Sequence, residues 1–186
     1  MAQSNMSQAS ATADTAPASP AVSGYLRPYL GWGSDILTAP EDAVSSYRFG
    51  LGLASGVNLS KLTLGVDFNY FLGTAIDGTV ENDPSVNGSG RVNAFRLAAD
   101  IGYSFDLTAV TLRPHVLAGV EWRRISIGDF SQVERDPVWS PAMLALVPLR
   151  KDGRFAAGVD ARFNLVLIDG TFYSQLSGFL AVESRF

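Results

Sequence analysis

Thr171-Phe172-Tyr173-Ser174-Gln175-Leu176-Ser177-Gly178-Phe179-Leu180-Ala181-Val182-Glu183-Ser184-Arg185-Phe186 is the segment of the chain with the strongest fold signal. A strand alternates its side chains between two faces, which puts Phe172, Leu176, Leu180, Val182 and Phe186 on one side. Gln175, Ser177, Glu183 and Arg185 fall on the other. One face is oily, the other mostly wet, and the aromatic Phe186 lies on the oily one. Such a strand suits either a half-buried position in a soluble sandwich or a barrel whose exterior meets lipid.

The same alternation begins at Gly24 and recurs about eight times. Leu26, Pro28, Leu30 and Trp32 oppose Arg27 and Tyr29; Tyr47, Phe49, Leu51 and Leu53 oppose Arg48 and two glycines. Leu62 to Leu72 carries an apolar face against Asp67 and Asn69, and Phe95 to Phe105 one against Arg96 and Asp100. Leu112 to Trp122 faces away from Arg113, His115, Glu121 and Arg123, and Phe155 to Leu167 away from Asp160, Arg162 and Asn164. The sixth segment, Trp139 to Arg150, is apolar on both faces, so its register is ambiguous. Helix is a poor alternative, because these segments hold a period of two over many residues and are rich in Val, Phe, Tyr and Gly. Most exceed the five or six residues usual in soluble strands and approach the roughly nine to eleven that cross a bilayer at a tilt.

Bulk composition agrees. Of 186 residues, 47% are hydrophobic and 17% charged, below the quarter or so charged in ordinary globular chains. A net charge of −4 without any basic run excludes a nucleic-acid partner. The absence of cysteine discriminates little. No run of about eighteen apolar residues exists, so a membrane helix is excluded and a spanning form must be a closed barrel. Residues 1–23 are rich in Ala, Ser, Pro and Thr without apolar periodicity, which predicts a flexible, disordered N-terminal tail before a barrel over 24–186. That tail lacks a basic start and an apolar centre, so it does not read as a signal peptide; Met1-Ala2-Gln3 reads as a start placed before a mature end.

The connections alternate as well. Ser34 to Ser45, Gly73 to Arg91 and Ile127 to Val138 read as long polar loops; Gly56 to Ser60, Asp106 to Ala109 and Lys151 to Gly153 read as tight turns. A short link at Asp169-Gly170 breaks the rule. Aromatic residues gather at strand ends, with Tyr47, Phe95, Trp122, Trp139 and Phe172 toward the loops and Tyr103, Phe105, Phe155 and Phe186 toward the turns. Long loops on one side, turns on the other and two aromatic girdles are the layout of transmembrane barrels. The fold class expected is all-β: an eight-stranded, antiparallel, up-and-down transmembrane β-barrel.

The C-terminal strand ending on Phe186 resembles the assembly signal of bacterial outer-membrane barrels. The chain from Gly24 to Phe186 resembles the small eight-stranded barrels related to the membrane domain of outer-membrane protein A and to opacity-type surface antigens. Gly24-Tyr25-Leu26-Arg27-Pro28-Tyr29-Leu30-Gly31 resembles their first strand, and Arg113-Pro114-His115-Val116-Leu117-Ala118-Gly119 echoes it. The resemblance implies a place in the bacterial outer membrane. It also implies outer-membrane lipid, the barrel assembly machinery and another envelope or host protein as partners.

Parity assigns Arg27, Arg48, Arg96, Arg113, Arg123, Arg162, Arg185, Asp67, Asp100, Glu121, Asp160, Glu183 and His115 to the interior. An eight-stranded interior is only wide enough for side chains, so these charges are expected to pair into a plug. His115 is the single histidine. The resemblance extends to lipid A deacylases, whose histidine activates a serine, but Leu117 occupies the position where their pattern places that serine. No catalytic, metal or cofactor site is read. Two rivals stand beside the non-enzymatic barrel: a lipid A-modifying enzyme, and a soluble lipocalin-like carrier suggested by Gly31-Trp32. The apolar sixth segment predicts a lopsided lumen, packing near Phe179, and weak pairing around Pro141 and Pro148.

Overall fold

The computed structural model of the chain describes residues 22–36, 48–80, 83–168 and 170–186. Eight strands form one sheet: β1 Val22–Asp35, β2 Phe49–Leu59, β3 Leu62–Val80, β4 Asp83–Tyr103, β5 Thr111–Ile127, β6 Phe130–Pro148, β7 Phe155–Ile168 and β8 Thr171–Arg185. Phe105–Asp106 continues β4 past Ser104 along β5. Each strand pairs antiparallel with the next, and β1 with β8, so the sheet closes and leaves no open edge through its common height. The region read as a tail lies outside the described residues except for Val22 and Ser23, which open β1.

The barrel is inside-out relative to a soluble one. Leu26, Leu30, Leu51, Val66, Phe68, Leu97, Ile101, Val116, Met143, Val159, Leu176 and Leu180 are all exposed on its exterior, while Arg27, Arg96, Asp67, Glu121 and Arg162 are buried within. Adjacent residues show the pleat at work, with Leu180 at 64% exposure and Phe179 at 1%. An apolar belt of this extent far exceeds the few hundred Å² a soluble monomer leaves bare, and the charged interior is the reverse of a lipocalin's.

Rings and glycines share the interior between them. Tyr29 lies against Gly52 and Phe71 against Gly50, where a methyl group would collide with the ring, and at Gly31 it would meet the Gly178 carbonyl and Phe179. These glycines let bulky side chains lie along the wall.

Two segments read as loops are strands. Gly73 to Val80 and Asp83 to Arg91 lie within the β3–β4 hairpin, paired as far as Val80↔Asp83, and Ile127 to Val138 lies within the β5–β6 hairpin, paired to Ile127↔Phe130. Above the apolar belt both faces of a strand meet water, so no oily face marks it. β4 and β5 stay paired up to Gly90↔Ile127, whereas β6 meets β7 only from Val138 downward and β7 ends at Ile168. The wall made by β3 to β6 therefore stands higher than β7. Most of the segment read as the first loop lies outside the described residues, as does Tyr47.

β6 also gains a register. Asp136, Val138, Ser140, Leu144 and Leu146 are buried, with Pro141, Met143 and Val147 outside. Leu144 and Leu146 join Tyr25, Tyr29, Phe71, Ala94, Phe179 and Ala181 in one apolar cluster that draws on β1 to β4 as well as β6 to β8, so the lumen is apolar along the lower part of β6 but does not divide into an apolar side and a charged side. The β6–β7 ladder skips Ser140 and Pro141, and the β8–β1 ladder skips Arg27 and Pro28, because proline has no N–H to donate.

At the turn end Gly24 and Phe186 exchange backbone bonds of 2.8 and 3.0 Å. At the other end Phe95 stacks on Trp122 at 4.9 Å between centroids, and Trp139 leans on Phe172 at 6.0 Å.

Candidate functional site in the lumen

Alternation along β7 puts Asp160, Arg162 and Asn164 inside, and Arg162 becomes the centre of the lumen. Its guanidinium donates two bonds to Asp67 on β3, at 2.9 and 3.0 Å, and two to Asp160, at 3.0 and 2.8 Å. The touching rings of Tyr29 and Phe179 lie beside it, their centroids 4.7 and 4.8 Å from the guanidinium carbon and 5.0 Å from each other. Tyr29 in turn donates to Asp67 at 2.7 Å, as Asn69 does at 3.0 Å. A buried charge is tolerable only when its lone pairs and protons are taken up, and here Arg162 has carboxylates on two edges and a pair of aromatic rings packed beside it.

His115 links this centre to the turn end. Its Nδ1 lies 2.9 Å from Asp100 Oδ1 and its Nε2 lies 3.1 Å from Asp160 Oδ1. Carboxylates only accept, so an imidazolium donating through both nitrogens satisfies both contacts. Arg27 donates to Asp100 at 3.1 Å and has Glu183 at 3.5 Å. Glu183 receives the Arg113 fork at 2.9 and 3.2 Å and Arg185 at 2.9 Å. With His115 protonated, the fully enclosed cations Arg27, Arg96, Arg113, Arg162 and His115 face the carboxylates of Asp67, Asp100, Asp160, Glu121 and Glu183.

Toward the loops, Arg96 donates to Glu121 at 2.6 Å and to Asn164 at 2.7 Å. Asn164 also receives Ser140 at 2.7 Å and donates to Ser177 at 3.0 Å. Higher still, Arg123 pairs with Asp136 at 2.8 Å and Glu134 at 2.9 Å. Alternation puts Asn164 and Tyr29 inside without marking them as network members, and Ser140 lies in the segment whose register it left ambiguous. Asp136 and Glu134 escaped it because they lie in a segment read as loop.

Two residues depart from the expected inward set. Arg48 precedes β2 and is exposed at the rim, held by its carbonyl, which accepts from the Gly33 N–H at 2.8 Å, and it forms no ion pair among the described residues. Its parity points inward, but it lies at the loop-side end of the barrel, where the side chain is exposed. Arg185 is only half enclosed, its side chain 30% exposed at the turn end. Phe186, assigned to the assembly signal, points outward with 78% exposure.

Chemically the lumen offers little to a substrate. Both His115 nitrogens are engaged by carboxylates, so neither is open to take a proton from a nucleophile. No group of three or more metal-ligating side chains exists among the described residues.

No protein-family model matches the chain, and no curated protein does. Solved structures do. Neisserial surface protein A is 13% identical, over 89% of this chain and 97% of that one, at a TM-score of 0.62. A major outer membrane protein from Thermus thermophilus is 11% identical over 89% and 100%, at 0.56. The N-terminal β-barrel domain of OprF from Pseudomonas aeruginosa is 15% identical over 88% and 97%, at 0.50. The fold is that of the small outer-membrane β-barrels.

Proposed function

We propose that this chain is a non-enzymatic barrel of the bacterial outer membrane whose interior is a side-chain plug. Its work is done outside the lumen, by the surface it raises above the bilayer or by contact with another envelope component. The observation that carries this reading is the Arg162 centre, where carboxylates from β3 and β7 and rings from β1 and β8 meet on one guanidinium. A cross-section tied together in this way has no room for a solute path, and an aqueous channel needs about sixteen strands. The same network disfavours a lipid A-modifying enzyme, because it occupies the only histidine on both sides.

The plug also explains the height of β3 to β6. A stiff base lets two hairpins project as one continuous sheet, with β4 and β5 still paired at Gly90↔Ile127. That wall is the surface on which a partner would be met.

Planar-bilayer recording tests the plug. The folded chain should insert without stable conductance steps, and large, steady steps would overturn it. Lipid A composition tests the enzymatic alternative: cells carrying His115→Ala should match wild type, and a changed acyl pattern would reinstate the enzyme.

A further inference from the structure

We infer that Arg91, Arg124 and Arg135 form a docking site on the outer face of β4 to β6 for the phosphate of a lipid headgroup in the loop-side leaflet. This rests on the outer-membrane reading above, which puts the loop end of the barrel in a leaflet with phosphate-bearing lipids.

The placement follows from parity and register. On β4 and β5 the outward set includes Phe95 and Trp122, and Arg91 and Arg124 share their parity; on β6 Arg135 shares the outward parity of Val133 and Trp139. Cross-strand partners run Phe95↔Trp122↔Arg135, then Asn93↔Arg124↔Val133, then Arg91↔Ser126↔Ser131. Arg124 is thus the diagonal neighbour of both other arginines, at a Cα spacing of about 7–8 Å. One arginine per strand forms a short oblique row, beginning level with the Phe95–Trp122 stack and rising about 10 Å above it. Aromatic girdles mark the headgroup level, so the row lies where phosphates are.

All three arginines are exposed, and none forms an ion pair among the described residues. Among the described residues the side-chain bond at the row is Arg124 Nε to Ser131 Oγ at 3.1 Å. Among the described side chains, the carboxylates beside them are committed to the other face, where Asp136 and Glu134 hold Arg123. Asp129 is exposed, but it stands at the hairpin tip beyond the row. Residue type matters too. The guanidinium fork matches phosphate oxygens in pairs, and all three cations here are arginine, whereas both lysines, Lys61 and Lys151, belong to the turn end.

The test uses the full chain in phosphatidylcholine bilayers doped with a bisphosphorylated glucosamine lipid, with retained lipid counted by native mass spectrometry after gentle extraction. Wild type should keep the phosphorylated lipid. Arg91→Gln, Arg124→Gln or Arg135→Gln should each weaken retention about fivefold, and the triple variant about a hundredfold. Arg150→Gln with Lys151→Gln, at the turn end, should change nothing. Equal retention by a folded triple variant, or of the dephosphorylated lipid by wild type, would overturn the site. Displacement by millimolar inorganic phosphate would reassign it to a soluble anion and overturn the lipid. A wild-type chain that never shows heat-modifiable migration in detergent gels would overturn the barrel reading itself, a result separable from the others.

Discussion

Arg162 and Arg124 are the same side chain on one continuous sheet, yet nothing else about them agrees. Arg162 is wholly enclosed, with four bonds to two carboxylates and the rings of Tyr29 and Phe179 packed beside it. Arg124 stands in the open with one bond to a serine. Parity turns the first into the lumen and the second outward, and height decides the rest, since inside the apolar belt a charge must bring its partners whereas above it water serves. The barrel uses arginine as internal cross-bracing and as an external contact, and the two uses should fail differently.

The largest effect should come from Arg162→Ala. Removing the guanidinium leaves Asp67 and Asp160 enclosed without their main cation, a loss of about 3–5 kcal/mol when one partner of a buried pair is deleted. Urea unfolding in detergent micelles reads it, and a loss under about 1 kcal/mol would mean that the lumen hydrates more freely than its packing implies. Leu144→Ala comes next. It removes apolar fill from the β6 side, at about 2–4 kcal/mol by the same measurement. A much smaller cost would show that the apolar cluster is loosely packed. His115→Ala should cost about 1–3 kcal/mol, because Asp100 keeps Arg27 and Asp160 keeps Arg162. A loss equal to that of Arg162→Ala would move the centre of the network to the histidine. Arg124→Ala should change stability by no more than about 0.5 kcal/mol, and Arg48→Ala likewise. A large cost at either would break the comparison, because it would give an exterior arginine a bracing role.

Alternation revealed the strands and most of the inward charges because lipid outside and charge inside impose opposite chemistry on successive residues. Where that contrast ends, so did legibility. Ser131, Gln132, Val133, Glu134 and Arg135 form a strand above the belt, but with no oily face they read as loop, and Asp136 and Glu134 were lost with them. The register of β6 was hidden for the opposite reason. From Pro141 onward both faces are apolar, and the deciding residues, Asp136 and Ser140, lie at or above that point. Arg48 had the right parity at the wrong height. Which carboxylate each arginine meets was never in the alternation, since Arg162 reaches Asp67 across the lumen and such partners depend on how the closed barrel staggers its strands.

The paired Gly24 and Phe186 also say something about how the molecule comes into being. Every other seam joins strands that are neighbours in sequence, so each hairpin can form locally as the chain emerges. The β1–β8 seam joins partners such as Tyr25↔Arg185, separated by nearly the whole chain, and it contributes the largest single share of the fold's contact order. Until β8 exists, β1 and β7 present bare edges that invite pairing with other chains. Folding is therefore slow at its final step and all-or-none in outcome. A chain cut before β8 should accumulate as edge-paired aggregate rather than as a seven-stranded intermediate.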